Sequence, residues 1–207
     1  MMARLPKQRS SRALPGHPAA AMGSGSRKGD RLCVAGIDPA AAGPTGYAVV
    51  ESDGRVVRAL RHGSLRHPSR ASFGDRLKET HRVIRALLEE FSPDAVALET
   101  VFAAPNLRTS LKLAEARGVV LLAAAQAGVV VHNYTPREVK FQVTGYGAAS
   151  KAQMQTMVGA ILQLAEPPSS PDAADALALA LCHVFTEQAR RRVGSAGNHL
   201  YPARIEA

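Results

Sequence analysis

Four acidic side chains stand where apolar segments of this chain end or begin. Asp38 closes the run in AGIDPA, Glu99 closes the run in VALETVF, and Asp172 and Asp175 open the apolar pattern SPDAADALALALCHVF. Three residues apart, Asp172 and Asp175 share one face of a helix. Singly, each acid has an ordinary structural explanation. An Asp in a first helical turn meets the positive end of the helix dipole, and an Asp before Pro is common turn chemistry. Together they pose an electrostatic problem, because two carboxylates ~5 Å apart repel by about 3 kcal/mol at an effective dielectric near 20. A converging set therefore needs cations. No His or Cys pair has zinc spacing, so the oxygen donors point to a hard ion such as magnesium, which keeps waters and leaves positions for a phosphate. Two such ions ~3.5–4 Å apart can activate a water and steady the leaving oxygen of a phosphodiester.

The charge pattern around these acids is uneven. The net charge of +9 arises in the tails, since residues 1–29 hold six Lys or Arg and no acid, and residues 189–207 hold four Arg against Glu206. The stretch between is neutral, with 16 basic and 16 acidic residues. Within it, residues 100–165 are net basic and residues 166–188 carry four acids and no cation. A basic segment followed by an acidic one suits a metal-dependent phosphodiesterase. Aromatic residues make up 4% of the chain and Trp is absent, which disfavours a stacking platform for single strands. Cys33 and Cys182 read as small buried hydrophobes in a reducing compartment. No run approaches the ~18 apolar residues of a membrane span.

The elements that must position the acids follow from periodicity. Residues 1–30 read as a disordered basic tail, with Met22 as a possible initiator, 31–188 as one folded domain, and 189–207 as a basic C-terminal tail. RLCVAGID, GYAVVES and RVVRALRHGSL are three strands of an antiparallel meander, the last two joined at Asp53-Gly54. Phe73, Leu77, Ile84, Leu87, Leu88 and Phe91 predict a helix over 72–91, stopped by Ser92-Pro93. DAVALET is a buried strand, 107–127 a long helix and VVVHNY a fifth strand. Capping boxes at Thr135/Glu138 and Ser150/Gln153 open two short helices, and Ser170-Pro171 opens the last. The order βββαβαβαα–α predicts an α/β domain with one mixed sheet. Part of helix 107–127 must face that sheet, and its remaining leucines suit a two-fold interface. His81 and His183 read as structural.

With these elements in place, GIDP, TGYAVV, LETVF, SLKLAEARGV, REVK, ASKAQMQTMV and DAADALALAL, in this order from Leu32 to His183, resemble the RuvC family of Holliday-junction resolvases. The resemblance implies an RNase H-like fold, a mixed five-stranded sheet flanked by helices. It also implies a homodimer whose two sites nick opposing strands of a four-way DNA junction in recombination and repair. Cofactors would be Mg2+, two ions per subunit, with Mn2+ able to substitute. Partners would be junction-binding and branch-migration proteins of the RuvA and RuvB type, in the bacterial cytoplasm. The family's catalytic and metal-binding tetrad carries over to Asp38, Glu99, Asp172 and Asp175, its DNA-contacting lysines to Lys140 and Lys151, and its base-unstacking aromatic to Phe102. Two departures stand out: Ala40 follows GIDP with no basic residue before Thr45, and Pro105 replaces a basic residue for which Arg108 can compensate. Hydrolysis in line at phosphorus would leave a 5′-phosphate and a 3′-hydroxyl.

Three other readings use some of the same residues. A sugar-kinase or actin-like phosphotransferase shares the first hairpin but needs two copies of the fold. A non-catalytic junction-binding module and a nuclease acting on RNA differ in what they cut.

Overall fold

A single sheet organises the chain, and its strand order decides what the acids can do. The computed structural model describes residues 31–100, 106–166, 168 and 170–197. The elements are β1 (Leu32–Asp38), β2 (Thr45–Ser52), β3 (Val57–Leu65), α1 (Phe73–Phe91), β4 (Ala95–Glu99), α2 (Leu107–Ala127), β5 (Val130–Tyr134), α3 (Pro136–Thr144), α4 (Lys151–Ile161) and α5 (Pro171–Gly197). The sheet runs β3-β2-β1-β4-β5. β1, β2 and β3 form the expected antiparallel meander, while β4 and β5 add in parallel to β1.

Side-chain alternation along the strands separates two cores. Ala35, Ile37, Val49, Val96 and Leu98 pack with Ile84, Leu87 and Leu88 of α1 and Val120, Ala123 and Ala124 of α2. Val34, Ala48, Val50 and Ala97 pack on the opposite face with α3, α4 and α5. The central strands are therefore buried on both sides, which explains their near-continuous apolar runs.

Caps set the helix starts. Ser72, Thr135 and Ser150 each accept the backbone N–H three residues on, the last two within complete capping boxes. Ser170 Oγ accepts from Ala173 N at 3.1 Å, opening α5. That helix continues through Gly197, past residue 188 where the sequence pattern closes the folded domain; the apolar stripe fades there, but nothing breaks the helix. α2 buries Ala116, Val120, Ala123 and Ala124 and leaves Leu107, Leu111, Leu121 and Leu122 exposed. The histidines have partners that periodicity did not reveal: His183 Nδ1 shares a 2.6 Å hydrogen bond with the Tyr134 hydroxyl, and His81 Nε2 lies 2.8 Å from Gln126 Oε1.

Candidate active site

The acids meet because of register and parity. Ile37 pairs with Leu98 in the parallel β1–β4 ladder, so Asp38 and Glu99 end neighbouring strands. Val34 and Ala97 belong to the core beneath α5. Even-numbered steps along a strand keep to one face, so Gly36 and Asp38 on β1 and Glu99 on β4 face α5.

α5 reaches them because glycine lets its backbone sit against the sheet. A Cβ at Gly36 would come within 2.0 Å of the Ala176 carbonyl oxygen, and one at Gly46 within 2.0 Å of the Asp172 carbonyl oxygen. Gly46 is itself the register partner of Asp38. The start of α5, with Asp172 in its first turn and Asp175 about one turn on, therefore lies over the strand ends.

Each charge reports on its neighbours. The Asp38 carboxyl is pushed up from 3.8 to about 7, by burial first and then by Asp175, Glu99 and Asp172, with Lys151 opposing. Glu99 is raised by burial and by Asp175, against Lys151 and Lys140. Asp175 is raised by burial; Lys151 opposes that and Asp172 adds to it. Lys151 Nζ lies 3.7 Å from Asp175 Oδ2, so the lysine at the start of α4 leans into the acidic set.

Among the described residues no three His, Cys, Asp or Glu side chains are grouped so as to hold a metal ion as they stand. The donor chemistry nonetheless fits a hard cation, because half-buried carboxylates that raise one another's pKa are what a divalent ion relieves. Ligation would require these side chains to draw together, with Lys151 released from Asp175.

The remaining predicted contacts divide. Lys140, half-buried on α3, acts on Glu99 and Asp175. Arg108 is exposed in the first turn of α2. Phe102 lies outside the described residues. Sequence reading also passed over Arg117, which donates to the Glu99 backbone carbonyl and to Asn133 Oδ1. No local spacing links Arg117 to Glu99, so only its place within SLKLAEARGV marked it.

A family model described as "Crossover junction endodeoxyribonuclease RuvC" matches residues 34–183. A protein of that description from Chloroflexus aggregans is 46% identical over 159 residues, covering 77% of this chain and 96% of the relative. One from Halothermothrix orenii is 40% identical over 166 residues, covering 80% of this chain and 100% of the relative. Among solved structures, the chain is similar to a T. thermophilus RuvC in complex with Holliday junction substrate, with TM-score 0.73 and 36% identity over 77% of this chain and 96% of that one. The yeast mitochondrial Holliday junction resolvase Ydc2 matches with TM-score 0.60 at 12% identity over 81% of this chain and 84% of that one, a likeness of fold alone. The fold expected from the sequence, RNase H-like with a mixed five-stranded sheet, is the one observed.

Proposed function

The chain belongs to the RuvC family of crossover junction endodeoxyribonucleases, and we propose that it resolves four-way DNA junctions by paired, symmetric nicks. The observation that carries this reading is the coupling of four carboxylates at one sheet edge, with Asp38 raised to about 7 by burial and by the other three acids, beside Lys140 and Lys151. Those lysines would draw a phosphate backbone toward the edge, and cations held among the acids would relieve the remaining repulsion.

Asp38, Glu99, Asp172 and Asp175 would hold Mg2+, two ions per subunit, with Mn2+ able to substitute. When bound, these ions supply an activated water and stabilise charge on the leaving oxygen. The chain's own contribution is to orient and neutralise. Asp38, ending a strand whose side chains are packed on both faces, is the best-fixed ligand, and its proton must leave before it ligates. Lys151 and the first backbone N–H groups of α4 suit a phosphate oxygen. Lys140 suits the next contact, and Arg108 and Phe102 the branch point. Products would carry a 5′-phosphate and a 3′-hydroxyl, ready for ligation.

Paired cuts require two sites related by a two-fold axis. The exposed leucines of α2 suit a homodimer interface, and RuvA- and RuvB-type proteins suit the place of partners on the junction. No helix among the described residues is long and apolar enough to cross a membrane, and the bacterial cytoplasm is the proposed location.

The test incubates the protein with a synthetic four-way junction and Mg2+, beside Asp172→Asn. Symmetric nicks from the wild type, and binding without nicking from the variant, are expected. Equal cutting of linear duplex, or nicking by the variant at the wild-type rate, would overturn the assignment.

A further inference from the structure

The edge that carries the acids continues beyond them on the side away from Lys140. The sheet order puts the C-terminal end of β3 two strands from β1, about 10 Å from Asp38 at the ~4.8 Å spacing of paired strands. There a cavity of about 210 Å³ is lined by Ala42, Gly43, Pro44, Arg66, His67 and Arg76. Its walls carry two arginines and no carboxylate.

Arg76 is fixed without being neutralised. It donates from Nη1 to the Ala42 carbonyl at 3.1 Å and from Nε to the Ala71 carbonyl at 3.3 Å, and both partners are uncharged. Burial, with the Arg76 charge added, holds His67 below its usual pKa. The acids nearby are occupied: Glu79 takes a two-pronged contact from Arg82, and Asp75 accepts from Ser72. Arg66 is exposed just past β3. The other arginines of β3 and α1 are all ion-paired, Arg58 with Asp53, Arg61 with Glu90, Arg82 with Glu79 and Arg85 with Glu89. Among the described residues Arg66 and Arg76 have no such pair.

We propose that Arg66 and Arg76 form a backbone-phosphate subsite, holding the cut DNA strand a few nucleotides from the scissile bond on the flank opposite Lys140. The inference rests on the nuclease reading above. A cluster of carboxylates repels the strand it must cut, and cations on one side alone leave that strand free to swing. Anchoring on both flanks holds the scissile phosphate over the acids. The contact reads backbone and position, not base sequence.

Affinity of the full chain for a four-way junction, measured without added metal across roughly 50 to 200 mM salt, tests it. Each lost phosphate contact should flatten the slope of log K against log salt by about 0.9. Arg66→Ala and Arg76→Gln are each expected to weaken binding and flatten the slope by that amount, and Arg66→Lys to retain it. Arg58→Ala removes the same charge from the far end of β3 and should keep the wild-type slope. Since Arg76 also supports the loop at Ala42, Arg66→Ala is the decisive variant. An unchanged slope there overturns the subsite, as does equal flattening by Arg58→Ala. Nicking by the wild type with Mg2+, run in parallel, separates the two readings: a wild type that binds but does not nick sinks the nuclease assignment, and one that binds no junction sinks both.

Discussion

The guanidinium of Arg117 on α2 donates to the backbone carbonyl of Glu99 and, at 2.5 Å, to Asn133 Oδ1, tying one helix to the ends of two strands. On the proposed reading Glu99 would hold a metal ion, and a side chain that orients a metal ligand typically matters 10–100-fold. Arg117→Ala is therefore expected to slow single-turnover nicking by about that factor and to raise the half-saturating Mg2+ concentration. Unchanged metal dependence would mean that Glu99 is held by the sheet alone.

Asp38 supplies a pH prediction. Its folded pKa of about 7 stands above its ordinary value of 3.8, so the native state binds more protons between those values. The contribution of Asp38 to metal-free stability should therefore be greatest at the acid end of that window and be lost as pH rises through 7, by a few kcal/mol at ~1.4 kcal/mol per unit. Asp38→Asn should melt higher than the wild type in EDTA at pH 8 while abolishing nicking. Thermal melts of the two proteins at pH 5 and 8 check it.

His183 works in the opposite sense. Burial, followed by the charge of His132, depresses it from 6.5 to about 4, with Glu187 opposing and Arg190 adding. Its contribution is complete above pH 6.5 and is lost as pH falls toward 4, amounting to about 2–3 kcal/mol. Denaturant midpoints at pH 7 and 4.5 should separate more for the wild type than for His183→Gln, which takes up no proton.

Gly46→Ala should act on the site through the backbone. Its Cβ would meet the Asp172 carbonyl oxygen at 2.0 Å, so α5 must shift, costing about 1–3 kcal/mol of stability and lowering nicking. Gly159→Ala in α4, where an added Cβ meets nothing within 4 Å, should instead stabilise by up to about 1 kcal/mol. Melting temperatures and nicking rates of the pair distinguish a local clash from a general glycine effect.

The exposed α2 leucines predict the assembly state. Leu111 and Leu122 are 54% and 52% exposed, and placing Glu at both positions should convert a dimer to monomer in sedimentation. Nicks on opposing strands would then lose their coupling. A wild type that sediments as a monomer at micromolar concentration would remove this role from α2.

Much of the fold could be read from local pattern. Thr135 with Glu138 and Ser150 with Gln153 announced two helix starts, since a cap is a bond between residues three apart. Short apolar, β-branched runs announced β1 and β2, and the apolar run opening at Ser170 announced α5. Where local signals weaken, an element's end is not legible: α5 runs on to Gly197 after its apolar stripe has faded, because an exposed helical extension needs no buried face.

The four acids were visible as residue types at the ends of apolar runs, which is a property of the chain alone. That Asp38 and Glu99 share a strand boundary and a face, that α5 comes close enough for Asp172 to raise Asp38, and that Arg117 and Arg76 reach the edge from the opposite layer were decided only by tertiary structure. Periodicity and capping act over three or four residues, whereas charges and register act through space between segments far apart in the sequence. Chain order names the groups, and the packing of helices on the sheet determines which of them share one field.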